Sequence, residues 1–381
     1  MKIGVVTFWQ TRDNYGQMLQ CWALQCQLKK MGHEPFLVRY AHSEHKYPFL
    51  ECLVHFFKNL IRFKIKNLFL RQKHMKHPSE SERKRDFAGF KDKYLEKTSA
   101  IYYSCKDVCQ NLPEADCYIV GSDQVWGRSF SSDDGSVFML QFAPPAVPRI
   151  SYAASFGKPR IKSTAMPSLS KCLARFKAVS VRERSGVEIC RQAGINATLV
   201  LDPTLLIPFS EYATSFAMQG VRRNRIFIYS LNISSAEEIG WENLKDFAAK
   251  RNLEVMVTPS SGYIEGSELF GKEVLYQYST IPEWLTSIKE AQLVVTTSFH
   301  GVMFCIQAHT PFVYVPLNGR FSSGNNRVLD FLEVLKIKVP IYRSGITYEE
   351  LLNMNFDWEY IDNQLEELRK HSRAFLENSL A

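Results

Sequence analysis

The stretch LVVTTSFHGVMFCIQAHTPFVYV, residues 293–315, contains a complete strand–helix–strand unit. Residues 293–297 are apolar and rich in β-branched side chains, a pattern typical of a buried parallel strand. Residues 302–308 have the composition of a short helix, which a Thr-Pro pair ends, and residues 312–315 predict the next strand. Parallel strands joined by a helix are the building unit of α/β domains, so this stretch predicts an α/β fold.

The motif Ser298-Phe299-His300-Gly301 falls where the first of these strands passes into the helix. Open parallel sheets bind ligands at the carboxyl ends of their strands, which is where this motif is expected to lie. Backbone N–H groups at a helix start attract anions, and His300 adds a titratable group beside them. A serine that caps the helix and a histidine that bonds a nearby carbonyl oxygen would give the same pattern. Both interpretations stay open on spacing alone.

The composition is that of a soluble globular protein, with 45% apolar and 23% charged residues. At 381 residues the chain is expected to form two domains. The first residues run directly into a predicted strand, so no signal peptide is expected, and no uncharged apolar run is long enough to span a bilayer. The nine cysteines form no C-x-x-C pair and are odd in number, which favours a reducing, cytoplasmic compartment.

The net charge of +8 comes from one segment. Residues 46–97 hold 14 Lys and Arg against 6 Asp and Glu, and apolar residues are interleaved with them between positions 49 and 70. This composition favours an amphipathic helical insertion whose basic face lies on an anionic membrane surface. A helical insertion packed on its own domain, with a solvated basic face, is the alternative. No nucleic-acid-binding signature accompanies the charge, so nucleic acid is not expected as a partner.

In the N-terminal half, polar residues follow the predicted strands. Strands are predicted at 2–8, 35–40, 116–120, 150–154, 178–181 and 199–201, with a helix at 19–31. The residues that follow the later strands are Gly121, Ser122, Asp123, Ser155, Arg182, Glu183, Arg184 and Asp202. Because the carboxyl ends of parallel strands share one edge of the sheet, these residues are expected to converge. Singly, each has a simpler explanation, since Asp123 would also serve as a turn cap and Arg182 as half of a surface ion pair.

The predicted fold is α/β, with two Rossmann-like domains that face each other across a cleft. We place the N-terminal domain at residues 1–210, with the basic insertion inside it, and the C-terminal domain at 211–345. Residues 346–381 predict a helix that packs back across both domains. The Gly-, Ser- and Asn-rich residues 318–327 predict a loop over the cleft. The dinucleotide fingerprint G-x-G-x-x-G is absent.

Six motifs follow one another along the chain: FWQTRDNYGQMLQCWALQ, DCYIVGSDQVW, SYAASFG, VSVRERSG, VLDPTLL and TTSFHG. Together with Asn326, Arg327 and Asp330 they resemble the polysaccharide pyruvyl transferase family over residues 2–335. The resemblance implies a two-domain, GT-B-like architecture, in agreement with the fold predicted above. Members of this family move the enolpyruvyl unit of phosphoenolpyruvate onto two sugar hydroxyls as a ketal and release phosphate. The resemblance therefore implies phosphoenolpyruvate as co-substrate and no cofactor.

The resemblance also assigns roles on the donor side. His300 corresponds to the catalytic acid of the family, and Arg182 corresponds to an arginine that binds phosphoenolpyruvate. Many members have an arginine at the position of Ser298, so that anion contact is either missing here or made by another cation. The candidates are Arg184, Arg320 and Arg327. The remaining donor-site residues are expected next to His300 and are Ser298, Phe299 and Gly301.

On the acceptor side, a galactose, mannose or related hexose in a capsular, exopolysaccharide or cell-wall precursor is expected by analogy with the family. Asp123 is the candidate for binding this sugar or for taking the proton of the attacking hydroxyl. The other residues expected to line the cleft are Asn14, Tyr15, Gly121, Ser122 and Ser155. No cluster of His, Asp or Glu has metal-ligand spacing, so no metal is expected.

Two other functions fit the same fold. A nucleotide-sugar-dependent GT-B glycosyltransferase would need a nucleoside site in the C-terminal half, where no Glu-rich sugar-nucleotide signature is found. A non-catalytic binding protein would keep the fold without the chemistry, and the intact His300, Arg182 and Asp123 argue against it. The basic insertion at 46–97 fits the pyruvyl transferase best, as a means of reaching a lipid-linked sugar at the inner face of the cytoplasmic membrane.

Overall fold

Two parallel β-sheets, one after the other along the chain, form the framework of the molecule. The computed structural model describes residues 1–41, 79–127, 130, 132–221, 223–260 and 269–381. The first sheet contains β1 (Lys2–Val6), β2 (Glu34–Leu37), β3 (Cys117–Val120), β4 (Arg149–Ala154), β5 (Ala178–Val181) and β6 (Thr198–Leu199), in the order β2-β1-β3-β4-β5-β6. The second contains β7 (Arg225–Tyr229), β8 (Glu254–Val257), β9 (Leu275–Tyr276), β10 (Leu293–Thr296) and β11 (Phe312–Tyr314), in the order β11-β10-β7-β8-β9.

Helices connect the strands on both sheets. Those of the first part are α1 (Tyr15–Lys30), α2 (Glu80–Arg85), α3 (Phe87–Tyr94), α4 (Cys105–Gln110), α5 (Asp133–Phe138), α6 (Met166–Leu173), α7 (Arg184–Gln192), α8 (Pro203–Leu206) and α9 (Phe209–Ser215). Those of the second part are α10 (Trp241–Lys250), α11 (Ile281–Glu290), α12 (Phe299–Ala308), α13 (Asn325–Val334), α14 (Tyr348–Leu351) and α15 (Trp358–Leu380). Short 3₁₀ helices lie at Ser163–Ala165, Ala236–Ile239 and Gly319–Gly324.

The central strands are buried on both faces, which explains their uninterrupted apolar sequences. Every residue of β3, β4 and β10 is buried. Helices must cover both faces of an all-parallel sheet, and this excludes polar alternation along its strands. The predicted α/β fold class with two Rossmann-like sheets is confirmed.

One apolar core runs between the two sheets and holds them together. Tyr15 of α1 stacks on Trp284 of α11 with ring centroids 5.1 Å apart, and its hydroxyl donates to the carbonyl oxygen of Ser279 at 2.6 Å. On the same helix, Trp22 packs against Tyr212 of α9. α1 belongs to the first sheet and α11 to the second, so the Tyr15–Trp284 pair joins the two parts of the molecule.

The C-terminal helix α15 packs back on the first part of the molecule. The hydroxyl of Ser372 accepts a hydrogen bond from the backbone N–H of Leu201 at 2.9 Å. Arg369 donates to the carbonyl oxygen of Leu205 at 2.6 Å, which is at the end of α8. Residues 352–357 are not helical and separate α14 from α15, whereas the sequence predicts one continuous helix here.

Two segments near the site differ from the sequence prediction. α12 begins at Phe299, three residues before the predicted start, because the Ser298 side chain caps it by accepting from the N–H of Gly301 at 3.2 Å. The predicted loop at 318–327 is a 3₁₀ helix followed by the first turn of α13. Asn325 fixes this segment, because its side chain bonds both the N–H and the carbonyl oxygen of Leu317 at 2.8 Å.

The basic segment 46–97 is described only in its last part, which contains α2 and α3. The interleaved apolar and basic stretch at 49–70 lies outside the described residues. The predicted domain boundary after residue 210 falls within α9. In the part of the chain that the structure describes, no helix has the length and apolar character needed to cross a bilayer.

Candidate active site

Four strand ends of the first sheet meet at one buried group of charged side chains. Asp123 follows β3, Ser155 follows β4 and Arg182 follows β5, while Asp202 lies between β6 and α8. The pairing of β4 with β5 shifts register between Ser151 and Ala154, and a single bridge joins Ala154 to Asp123 on the other side of β4. The convergence that parallel pairing predicts at this edge is therefore observed.

Arg182 lies at the centre of this group, and its side chain exposes none of its surface. Its guanidinium donates to Asp202 at 2.9 Å, to Ser122 at 3.2 Å and to Glu183 at 3.2 Å. Nη2 lies 3.7 Å from Oδ1 of Asp123 and has no hydrogen-bond partner among the described residues. Burial alone would lower the pKa of Arg182, but the surrounding carboxylates raise it, so the guanidinium stays charged.

Asp202 is held on both of its oxygens. Oδ2 accepts from the Ser122 hydroxyl at 2.6 Å and from Arg182, and Oδ1 accepts from the N–H and the hydroxyl of Thr204 at 3.0 and 2.8 Å. Burial would raise the pKa of Asp202, but His300, Arg182 and Ser122 together hold it well below its ordinary range. Asp202 is therefore an ionised carboxylate inside the protein.

His300 reaches the same carboxylate from the second sheet. It is the second residue of α12 and only 7% exposed, and its Nε2 lies 3.7 Å from Oδ2 of Asp202. At that distance the contact is electrostatic, and Nε2 has no hydrogen-bond partner among the described residues. The opposite side of the ring lies on α1, where a Cβ atom on Gly16 would come within 2.1 Å of Cγ and Nδ1. Only glycine allows this approach of the two domains.

Phe299 separates two guanidinium groups. Arg182 lies over one part of its ring at 4.8 Å and Arg327, from α13, lies at 5.8 Å. With its amide oxygen turned toward α13, Gln124 accepts from Nη1 and Nη2 of Arg327 at 3.0 and 3.3 Å. Burial and the neighbouring Arg182 lower the pKa of Arg327, and its Nε has no hydrogen-bond partner among the described residues.

Asp123 has a left-handed backbone conformation, with φ of 81°. Asp tolerates this region better than most residues, and such strain is concentrated at functional sites. One carboxylate oxygen accepts from the Gln17 side chain at 2.9 Å, and the other accepts from the N–H of Gln124 at 2.8 Å. The residue is thus more than a turn cap, because it links α1 to the Arg182 group.

Several residues predicted for the site lie elsewhere. Tyr15 is fully buried between the domains, and burial raises the pKa of its phenol well above the ordinary value. Arg184 is 47% exposed and pairs with Asp330 and Glu333 of α13. Three others have local roles: Asn14 caps α1, Gly121 bonds β1 through its N–H, and Arg320 lies over the Phe321 ring. Ser155 does lie at the charged group, where it donates to Glu183 at 2.5 Å.

The sequence prediction gave no role in the site to Asp202, Glu183 and Gln17, although it expected Asp202 and Glu183 among the converging strand ends. Asp202 lies in VLDPTLL, where an Asp before Pro at a helix start is normally read as a cap. Glu183 pairs with Arg182 in the interior and not at the surface. The available signal was position, since Glu183 comes two residues after the buried end of β5 and Asp202 follows the buried Val200 and Leu201. Within the described residues, no group of three or more His, Cys, Asp or Glu is arranged to hold a metal ion.

Known proteins resemble this chain in sequence and in fold. The sequence profile of the polysaccharide pyruvyl transferase family matches residues 14–318. No curated protein matches the chain significantly. Among solved structures, UDP-N-acetylglucosamine 2-epimerase from Rickettsia bellii is similar, with a TM-score of 0.55 at 8% identity over 99% of this chain and 96% of that one. UDP-GlcNAc 2-epimerase from Neisseria meningitidis, bound to UDP-GlcNAc, has a TM-score of 0.49 at 10% identity over 100% and 99%.

At such identities the likeness to solved structures concerns the fold alone, and it confirms the GT-B-like architecture. The family profile covers most of the chain, including the motifs that supply Asp123, Arg182, Asp202 and His300. The chain therefore belongs to the polysaccharide pyruvyl transferase family.

Proposed function

We propose that this protein transfers the enolpyruvyl group of phosphoenolpyruvate onto two hydroxyls of a hexose in a polysaccharide precursor, forming a pyruvate ketal and releasing phosphate. The observation that carries the proposal is His300. Its imidazole is buried, its Nε2 has no hydrogen-bond partner among the described residues, and the neighbouring Phe299 ring contacts two guanidinium groups. A proton donor beside cations suits this reaction, because the carbon to be protonated adjoins an anionic phosphate and carboxylate.

The proposed reaction begins with transfer of the proton on Nε2 of His300 to the methylene carbon of the donor. The electron pair of the C=C bond forms the new C–H bond, and the adjacent carbon becomes electrophilic. One sugar hydroxyl adds to that carbon and the second replaces the phosphate. Asp123 takes the proton of the first hydroxyl and returns it to restore His300, while the proton of the second hydroxyl leaves with phosphate. Asp123 is the proposed base, since its carboxylate is ordered by Gln17 beside Arg182.

The start of α12 supports an anionic donor. The N–H of Gly301 is taken by the Ser298 cap, while the N–H groups of Phe299 and His300 precede it in the first turn and have no intrahelical partner. Together with the helix dipole these two groups favour an anion. Because Arg182 and His300 are buried in this conformation, the two domains are expected to separate for substrate entry and close again over it.

We assign the donor contact that an arginine at the position of Ser298 would make to Arg327. Of the three candidates, only Arg327 lies against Phe299, next to His300. Arg327→Ala is expected to raise the KM for phosphoenolpyruvate by about 10-fold to 100-fold, because a hydrogen bond to a charged group contributes about 1.5 to 3 kcal/mol. Steady-state kinetics at saturating acceptor measure this effect.

Arg320→Ala is the matched control, since Arg320 is exposed and lies over Phe321 outside the charged group. It removes one positive charge from the same region and is expected to leave the KM within about twofold. Equal effects of the two substitutions would mean that general electrostatic attraction, and not a contact of Arg327, holds the donor.

A thermal-shift titration tests the donor directly, with phosphoenolpyruvate beside pyruvate, inorganic phosphate and a panel of nucleotide sugars. A ligand at about a hundred times its dissociation constant stabilises the folded protein by about 2.7 kcal/mol. We expect a rise in the unfolding temperature with phosphoenolpyruvate and none with nucleotide sugars. Stabilisation by a nucleotide sugar alone would overturn the proposal in favour of a glycosyltransferase.

We further propose a lipid-linked acceptor at the inner face of the cytoplasmic membrane. The support is the sequence of the 46–97 segment, whose excess of Lys and Arg is interleaved with apolar residues. The rate of phosphate release is expected to be higher with a lipid-linked hexose acceptor in anionic vesicles than with the free oligosaccharide. Equal rates with both acceptors would remove the membrane from the proposal.

A further inference from the structure

A single carboxylate oxygen connects the two residues that matter most to the proposed reaction. Oδ2 of Asp202 lies 2.9 Å from Nη1 of Arg182 and 3.7 Å from Nε2 of His300. The same oxygen also accepts from the Ser122 hydroxyl at 2.6 Å. Asp202 belongs to the first domain and His300 to the second, so the oxygen is also a point of contact between the domains.

The chain fixes Asp202 against the helix that carries His300. Thr204 binds the second oxygen of Asp202 with both its N–H and its hydroxyl. The carbonyl oxygen of Thr204 in turn accepts from Gln307 of α12 at 3.0 Å and from the Tyr212 hydroxyl at 2.9 Å. Because Gln307 and His300 lie on the same helix, movement of α12 relative to Asp202 breaks hydrogen bonds.

We infer that Asp202 is a positioning residue, which stabilises the protonated form of His300 in the closed enzyme and aligns Arg182 with the same oxygen. This role rests on the proposed function in that His300 is the proton donor. Burial makes the charged form of an imidazole costly, and an ionised carboxylate 3.7 Å away offsets that cost. When His300 gives up its proton, Asp202 keeps Arg182 as partner and is not left as an unpaired buried charge.

The other charged groups around His300 divide between the two signs. The positive charges of Arg182 and Arg327, which both contact the Phe299 ring, destabilise a protonated imidazole. The carboxylates of Asp123 and Glu183, which lie against Arg182, stabilise it. The acidic groups packed around Asp202 itself are the phenols of Tyr152 and Tyr212, whose pKa values are raised by burial first and by Asp202 second. Both phenols therefore stay neutral, and Asp202 is the carboxylate that contacts the imidazole.

The test compares Asp202→Asn with the wild-type enzyme as a function of pH. Loss of the carboxylate is expected to lower kcat at pH 8 by about tenfold and to move the alkaline limb of the kcat profile about one pH unit lower. Histidine-labelled protein reports the same change by NMR, where the His300 signal, assigned by its absence in His300→Gln, titrates at lower pH in Asp202→Asn. Because this measurement needs no substrate, it tests the inference even if phosphoenolpyruvate is not the donor.

Thr204→Val is the matched control. It removes a hydrogen bond to the other oxygen of Asp202 and leaves the contacts to His300 and Arg182 in place. It is expected to lower thermal stability without moving the alkaline limb or the His300 signal. An unmoved His300 titration in folded Asp202→Asn would overturn the inference, as would an equal shift in Thr204→Val. If Asp202→Asn does not fold, Asp202→Ser, which also lacks the charge, is measured in the same way, and an unchanged His300 titration in that variant would also overturn the inference.

Discussion

His300→Gln is expected to lose turnover by about 10²-fold or more while still binding phosphoenolpyruvate. Glutamine keeps much of the shape of the imidazole but cannot carry a proton to carbon, and general acid catalysis by one side chain is worth about 10² to 10⁴ in rate. Donor affinity is expected to remain within a few-fold, because Arg327 and the first N–H groups of α12 do not depend on the imidazole. Single-turnover kinetics with a thermal-shift titration separate these two effects.

His309→Gln is the matched control because His309 ends the same helix. Its side chain is 42% exposed and pairs with Asp362 at 2.9 Å, away from the charged group. Turnover of this variant is expected to equal that of the wild type. If His300→Gln keeps more than a third of wild-type turnover, His300 is not the proton donor and another group must protonate the methylene carbon.

The strand ends show how far the sequence alone leads at this site. β3 and β5, in the first sheet, are short apolar runs followed within three residues by Asp123 and Arg182, and β10, in the second sheet, is followed within four residues by His300. A parallel sheet places such ends on one edge whatever the side chains are, so convergence within the first domain follows from local pattern and topology. Local pattern therefore identified the residues of the charged group.

The pairing within the group depends on how the two domains pack, and no local pattern contains that information. Arg182 and Arg184 are two positions apart in VSVRERSG, yet one is fully buried and the other lies at the surface with α13. Tyr15 directly precedes Gly16, which touches His300, but its ring turns into the core between the domains. Whether a residue near the start of α1 or α7 reaches the charged group thus depends on the direction of its side chain. That direction is known only from the packed structure.

The choice of Arg327 as the donor-binding cation also depends on tertiary structure. The sequence offered three cations for the missing contact and no reason to choose between them. The choice follows from the start of α13, where Asn325 anchors the segment on Leu317 and turns Arg327 toward Phe299. That anchoring is a tertiary hydrogen bond, and for this reason the residues around it were predicted as a loop.

Arg182→Ala is expected to destabilise the protein by about 3 to 5 kcal/mol, because it leaves Asp202 and Glu183 as buried carboxylates without their cation. Urea unfolding followed by circular dichroism measures this loss. Arg184→Ala is the control two residues away, where an exposed ion pair contributes at most about 1 kcal/mol. Loss of phosphoenolpyruvate binding in Arg182→Ala alone would therefore not show that Arg182 touches the donor.

The pH dependence of this loss distinguishes charge from packing. Arg182 helps to hold the pKa of Asp202 below its unfolded value of about 3.9, so the stabilisation is complete above that pH and disappears as the pH falls toward the folded-state pKa. The stability difference between wild type and Arg182→Ala is expected to narrow below about pH 4. A second substitution, Asp202→Asn, is expected to restore part of the stability at neutral pH, because it removes one of the uncompensated charges. Two results together would contradict this: a stability difference between wild type and Arg182→Ala that stays constant with pH, and a double variant that recovers no stability. Arg182 would then act through packing against Phe299 and not through its charge.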